Sequence, residues 1–214
     1  MTPTWNGMTR RDDWSDWARE AGDRLADAGR AYDWVAMLKV LHRHDEFVNF
    51  WRPGGTAWYA PLHHAAYGGA PVEFAERLIR GGAWRGLRTA TGARPVDIAL
   101  GRGHWHLLKV LEPPRRDDVP ETVLAAIQER FHEVILGRAG SLVRDQELRL
   151  PELEVLLESE KVWFPVPGMY GGFSFRLEPA GADTRLVSDS WCRIVGGSEQ
   201  RHVVTATLTE QIER

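Results

Sequence analysis

The chain has 214 residues, of which 43% are hydrophobic and 27% are charged, with a formal net charge of −3 at pH 7. This composition is typical of a globular protein and excludes a disordered or collagen-like chain. No apolar run is long enough for a membrane span, and the N-terminus lacks a signal-peptide pattern, so we expect a cytoplasmic protein without membrane contact. The single cysteine excludes an internal disulfide.

Nucleic-acid binding has little electrostatic support in this sequence. The chain contains ten Trp, and only three Lys accompany its twenty-four Arg. Its basic residues form short pairs such as Arg10-Arg11, with no longer basic tract. A protein that binds nucleic acid without sequence preference needs a basic surface to neutralise phosphates, so we expect no nucleic-acid partner.

The first half of the chain has the spacing of amphipathic helices. Apolar residues three and four positions apart run from Trp14 to Ala28 and again from Trp34 to Leu41, and each run predicts a helix. We expect the N-terminal Trp5, with Trp14 and Trp17, to cap the open end of this helical domain.

Two segments further along repeat each other. Residues 60–66 read APLHHAA and residues 94–100 read RPVDIAL, and their prolines stand 34 positions apart. Each proline is placed to open a helix, where its missing N–H costs no hydrogen bond. Each segment is followed by glycine and a second apolar run, so each unit predicts a pair of helices.

These units resemble the ankyrin repeat family. The matching residues are Pro61-Leu62-His63, Ala65, Leu78-Ile79, Gly82-Ala83 and Gly103-His104. The family's Thr before Pro is missing from both units, and Val96-Asp97 replaces Leu-His in the second. The resemblance covers about residues 20–112, and residues 59–112 most strongly. It implies a short α-solenoid whose concave face binds another protein, with His63 and His104 hydrogen-bonding neighbouring turns.

Side chains that the repeat does not require gather around the turns of the middle unit. Trp, Tyr and Arg are enriched in binding hot spots, so we expect a protein-binding surface there. Its predicted residues are Trp58, Tyr59, His64, Tyr67, Trp84, Arg85 and Arg88. In the alternative interpretation, Trp58 and Trp84 pack beneath the long loop of residues 50–58 or against the second domain and are shielded from water.

A proline-rich charged segment divides the chain. Residues 113–120 read PPRRDDVP, and prolines at both ends block continuation of a helix. We therefore predict an ankyrin-like domain with its helical cap at residues 1–116 and an α+β domain at residues 120–214.

The second half predicts one helix followed by strands. The helix runs from Pro120 to Gly137. One hairpin pairs residues 161–166 with 171–177, and a second pairs residues 185–195 with 201–208. The predicted fold is thus an α-solenoid followed by a domain in which one helix backs a curved antiparallel sheet.

A cup in this second domain is the alternative functional site. The possible pocket residues are Tyr170, Asp189, Trp191, Arg193, Arg201 and His202. His202 with Asp189 would supply a general base and its orienting carboxylate, and an arginine would stabilise an anion. In the other interpretation, these charges form ordinary solvated cross-strand pairs.

No motif in the sequence points to a cofactor or a metal. Gly196-Gly197 lacks the three-glycine spacing of a dinucleotide fingerprint, and there is no Walker-type lysine. The carboxylates of residues 147–160 are spread too evenly to converge on one ion. We therefore predict a protein-interaction module rather than an enzyme. A small-ligand-binding protein or an enzyme that uses the C-terminal cup is the alternative, and the sequence leaves the partner, the catalytic residues and the oligomeric state open.

Overall fold

The computed structural model describes residues 2–193 and 198–212. Within these residues it contains seven α-helices and one antiparallel sheet of five strands, so the fold is mixed α and β. The chain forms two compact units, Met8–Pro114 and Met1–Gly7 with Arg115–Arg214. None of the helices in the described residues is both long enough and apolar enough to cross a membrane.

The helices of the Met8–Pro114 unit follow one another in pairs. They are α1 (Asp16–Arg30) with α2 (Trp34–Arg43), α3 (Pro61–Gly68) with α4 (Val72–Arg80), and α5 (Pro95–Gly101) with the short α6 (Leu108–Leu111). Helix α3 contacts both α1 and α5, and α4 contacts α6. Ala65 and Ala66 of α3 are completely buried, and their small side chains let the neighbouring helices approach closely.

The two helices predicted before the repeats are present as α1 and α2. The last helix of the unit, α6, is shorter than predicted. Residues 105–107 form a 3-10 turn, and α6 has only four residues before Pro113-Pro114 stops it. Trp105 of this turn does not pack between helices, because 68% of its surface is exposed.

The start of α2 depends on a side-chain cap. Asp33 precedes the helix, and its carboxylate accepts a hydrogen bond of 2.9 Å from the backbone N–H of Ala36. Replacing Asp33 with alanine leaves that N–H without its protein acceptor, so we expect the free energy of unfolding to fall by about 1 kcal/mol. Urea unfolding of the Asp33→Ala and Asp33→Asn variants checks this, because asparagine retains the capping oxygen. Equal losses in both variants would contradict the assignment.

The N-terminal segment belongs to the other unit. The backbone N–H of Trp5 donates to the carbonyl of Trp163 at 2.8 Å, and its indole Nε1 donates to the carbonyl of Arg149 at 3.0 Å. Trp5 therefore does not cap the first helices as predicted. Trp14 does pack in the helical unit, with its ring 5.7 Å from that of Phe50.

The unit formed by Met1–Gly7 and Arg115–Arg214 consists of one long helix and a sheet. Helix α7 (Glu121–Asp145) continues past the predicted end at Gly137, with non-helical torsion angles at Ala139. The strands are β1 (Val162–Val166), β2 (Gly171–Glu178), β3 (Arg185–Trp191), β4 (Glu199–Val204) and β5 (Thr209–Ile212). They lie in sequential order, and each is antiparallel to its neighbour.

Both predicted hairpins are found in this sheet, with changed limits. Strand β3 ends at Trp191, and residues 194 and 195 of its predicted extension lie outside the described residues. The edge strand β5 was not predicted, because its sequence Thr-Glu-Gln-Ile has little of the apolar alternation that marks a strand.

Helix α7 covers one face of the sheet. The ring of Phe131 lies 4.9 Å from that of Phe175 and 6.3 Å from that of Phe173. Side chains alternate between faces along a strand. The register pairs Phe175 with Ser188, and Ser188 with His202. The face of the sheet that α7 covers therefore includes Ser188 and His202.

Candidate functional site

An open cavity of about 430 Å³ lies in the Met8–Pro114 unit, beside α1, α3 and the loop that precedes α3. Its volume lies in the range of small-molecule pockets. The residues lining it are Ala26, Arg30, Tyr32, Arg52, Gly55, Thr56, Ala57, Trp58, Tyr59, His64 and Tyr67. Four of these were predicted as binding residues: Trp58, Tyr59, His64 and Tyr67.

The cavity has aromatic walls. The ring of Tyr59 lies 6.1 Å from that of Tyr67 and 5.5 Å from that of His64. Tyr67 and Tyr32 are 38% and 45% exposed, so the aromatic surface extends beyond the cavity to its rim. Trp58 is half-buried, and its ring lies 6.0 Å from that of the buried Trp51.

Two of the lining residues have strained backbones. Tyr32 has a φ of 56° and Trp58 a φ of 55°, in the left-handed region that bulky side chains rarely adopt. Each such residue costs about 1–3 kcal/mol, and strained residues of this kind cluster at functional sites. Holding both aromatic side chains at this cavity therefore lowers the stability of the folded protein.

The charged groups of the cavity are cationic. Of its eleven described lining residues, two are arginines and none is acidic. Arg52 forms ion pairs with Asp27 and, at 3.7 Å, with Asp23. Arg30 is exposed and forms no ion pair with the part of the chain that the structure describes. A third cation lies at the rim, where the Arg102 guanidinium is 4.3 Å from the centre of the Tyr67 ring.

The imidazole of His64 adds no charge to this cavity at neutral pH. Burial, together with the positive charges of Arg30 and Arg52, lowers its pKa from 6.5 to about 4. The close contact is possible because α1 has glycine at position 29. A Cβ there would lie 2.5 Å from the His64 ring, so Gly29 allows the imidazole to pack against α1.

The other three predicted binding residues lie outside the cavity. Trp84 is only 3% exposed, and its backbone N–H donates to Oδ1 of Asn49 at 2.8 Å. The packing interpretation thus applies to Trp84, which cannot present its ring to a partner. Arg85 is half-buried, as is Arg88, which donates to the carbonyl of Gly92 at 3.0 Å.

Seven lining residues were missed at the sequence level, and three of these carry aromatic or cationic side chains: Arg30, Tyr32 and Arg52. Arg30 and Tyr32 lie at the end of α1 and just after it, some thirty positions before the strongest repeat unit. Arg52 lies in the long loop. The available signal was the aromatic and arginine content of these turns. The prediction applied that signal to the middle unit alone.

The residues of the predicted C-terminal cup do not converge. Asp189 lies opposite Arg201 on neighbouring strands, and its Oδ1 accepts from Nε of Arg201 at 2.7 Å. His202 lies opposite Ser188 and points to the other face of the sheet. The proposed pairing of His202 with Asp189 as general base and carboxylate is therefore wrong.

The remaining cup residues also lie apart from His202. Trp191 stacks on Trp163, with ring centres 4.4 Å apart, on the face that carries Asp189. Tyr170 is 75% exposed in the turn before β2, and Arg193 is exposed beyond the end of β3.

Comparison with protein-family models gave no match, and comparison with curated proteins found no relative. Among residues 2–193 and 198–212, no group of three or more His, Cys, Asp or Glu side chains is arranged to hold a metal ion. The aromatic cavity is accordingly interpreted from its geometry and charge.

Proposed function

We propose that the Met8–Pro114 unit is a short ankyrin-like solenoid that binds a partner protein through the aromatic cavity. The observation that carries this proposal is the cavity itself. It combines aromatic walls, an exposed aromatic rim and cationic side chains, and none of its described lining residues is acidic. Tyr, Trp and Arg are the residues that contribute most to hot spots in protein interfaces.

The packing of the helices supports the solenoid. The first helices of successive pairs, α1, α3 and α5, contact one another in order, as stacked repeats require. The repeat prolines Pro61 and Pro95 both occupy the first helical position. His63 and Asp97 stand at the same place in the two units, and each accepts a hydrogen bond from the backbone N–H three residues earlier.

The charge of the cavity indicates the chemistry of the partner. Arg30 forms no ion pair with the described residues, and the His64 imidazole that lines the cavity is neutral at pH 7. An aromatic or aliphatic side chain would fill the cavity, and a neighbouring Asp or Glu of the partner would pair with Arg30. We therefore expect an acidic segment that carries an apolar anchor residue.

A peptide-display selection on the full chain tests this function. Enriched peptides should combine an apolar residue with a nearby carboxylate. Their affinity should fall about tenfold or more in the Tyr67→Ala and Arg30→Glu variants, a loss of about 1.4 kcal/mol. Fluorescence anisotropy with a labelled peptide measures each affinity.

Matched variants outside the cavity are the controls. Lys39→Glu makes the same charge change on α2, and Tyr170→Ala removes an exposed tyrosine from the other unit. Both should bind the selected peptide as the unaltered chain does. Equal losses of affinity in Arg30→Glu and Lys39→Glu would mean that net charge alone explains the effect. Undiminished binding by Tyr67→Ala would contradict the proposed site.

A further inference from the structure

The helix-covered face of the sheet contains two buried hydroxyls without partners. Ser188 and Ser190 of β3 are 1% and 2% exposed, and neither Oγ has a hydrogen-bond partner among residues 2–193 and 198–212. A buried polar group left without a partner destabilises a protein, and native structures ordinarily satisfy such groups. These two hydroxyls lie on the same face, one pleat apart.

A further polar group that lacks a partner among the described residues lies beside Ser188. His202 of β4 lies directly opposite Ser188, and its buried Nδ1 has no hydrogen-bond partner in the part of the chain that the structure describes. Side chains at opposed positions of antiparallel strands have Cβ atoms about 4.5–5.5 Å apart, so the imidazole and the hydroxyl are neighbours. On the opposite side of Ser188, Phe175 lies under the ring of Phe131 and closes the cluster with apolar surface.

Helix α7 supplies a cation to this cluster. One Nη of Arg138 donates to the carbonyl of Ser198 at 2.6 Å and to its Oγ at 3.1 Å, whereas the buried Nε has no partner among the described residues. Arg138 forms no ion pair with the described residues. Burial and the nearby guanidinium both lower the pKa of His202, so the imidazole is neutral at pH 7 and Arg138 provides the positive charge.

We propose that Arg138, Ser188, Ser190 and His202 form a binding site for a small oxyanion, a carboxylate or phosphate group. The guanidinium Nε–H and the two serine hydroxyls are hydrogen-bond donors that lack acceptors within the described ranges, and carboxylate and phosphate oxygens are strong acceptors. The site shares only His202 with the cup predicted from the sequence, and it is independent of the aromatic cavity in the Met8–Pro114 unit.

Thermal unfolding of the full chain in different anions tests the site. The melting temperature is measured in sodium chloride, sodium phosphate and sodium acetate at equal ionic strength. A ligand that binds only the folded state raises the melting temperature, and we expect a rise of about 3 °C or more in phosphate, in acetate or in both. A response to phosphate alone identifies a phosphate site, and a response to acetate alone identifies a carboxylate site.

The Ser188→Ala/Ser190→Ala double variant distinguishes binding from a general salt effect. Because the removed hydroxyls have no partners, the variant should melt in chloride at the same temperature as the unaltered chain or higher. Its response to the anion should be lost. If the double variant does not fold, Ser188→Ala alone is used, with the response to anion expected to be at least halved.

Ser174→Ala is the matched control. Ser174 is a buried serine of β2 that lies opposite Asp189, on the other face of the sheet, so its replacement should leave the anion response intact. The proposal is overturned if neither anion raises the melting temperature above that in chloride, or if the serine variants respond as strongly as the unaltered chain.

Discussion

Replacing His63 with alanine should lower the free energy of unfolding by about 4 kcal/mol. The imidazole is completely buried, and it joins two parts of the helical unit. Its Nδ1 accepts from the backbone N–H of Ala60 at 3.1 Å, and its Nε2 lies 2.9 Å from the carbonyl of Leu87. Because Nδ1 is an acceptor, the proton of the neutral ring is on Nε2, which donates to Leu87.

Alanine would remove both hydrogen bonds and leave a cavity. A buried N–H or carbonyl that loses its partner costs about 1–3 kcal/mol, and two such groups are affected here. Urea unfolding followed by far-ultraviolet circular dichroism measures the change, since helices of this unit contribute strongly to the signal.

His104→Ala is the control for this prediction. His104 forms one long hydrogen bond, 3.2 Å from Nε2 to the carbonyl of Tyr67, at an exposed position, so its loss should cost about 1 kcal/mol or less. Losses of similar size in the two variants would show that His63 does not connect the turns as described.

Acidification should destabilise the helical unit through His64. Its pKa is about 4 in the folded protein and about 6.5 in the unfolded chain. Between these pH values the unfolded chain binds more protons than the folded one, so stability falls as the pH decreases from 7 towards 4. At about 1.4 kcal/mol per unit of pKa, the full effect at pH 4 and below is about 3 kcal/mol.

Comparison of the unaltered chain with His64→Asn isolates this contribution. Carboxylates that titrate in the same range affect both proteins, whereas the imidazole is present in one of them. The free energy of unfolding should therefore fall more steeply below pH 6.5 in the unaltered chain, and His44→Asn should retain the steep dependence. Parallel curves for the unaltered chain and His64→Asn would contradict a buried neutral imidazole at this position.

Local patterns predicted much of the fold. Proline and glycine mark the ends of the repeat helices, and the spacing of apolar residues defines α1 and α2, so these elements were recoverable from sequence. The position of Trp5 could not be predicted from sequence, because it depends on backbone pairing with Trp163, far along the chain. The end of α7 was placed too early, since Gly137 was interpreted as a terminator but lies within the helix.

The candidate sites show where this reasoning stops. Because side chains alternate along a strand, the sequence predicts which neighbours on its own strand share a face with Asp189 or with His202. The register that pairs Ser188 with His202 decides whether those faces coincide, and the sequence does not supply it. A shift of one residue changes which side chains share a face. For the same reason, the sequence did not predict that Arg138 of α7 lies near His202 of the sheet.

The aromatic cavity was partly predictable for a similar reason. Trp58 and Tyr59 lie just before α3 and Tyr67 lies near its end, so their clustering follows from local structure. Arg30 and Tyr32 reach the cavity because α1 packs beside α3, where Gly29 allows His64 to approach. That contact is tertiary, and the spacing of residues within either helix does not encode it.

The most direct test of the proposed function is to locate a selected peptide on the full chain. Tryptophan indole N–H signals are followed in a proton–nitrogen correlation spectrum during titration, with the Trp58 signal assigned through a Trp58→Phe variant. Binding in the aromatic cavity should shift or broaden the Trp58 signal and leave those of the exposed Trp17 and Trp105 unchanged. An unchanged Trp58 signal at saturating peptide, with shifts confined to tryptophans outside the cavity, would contradict the account.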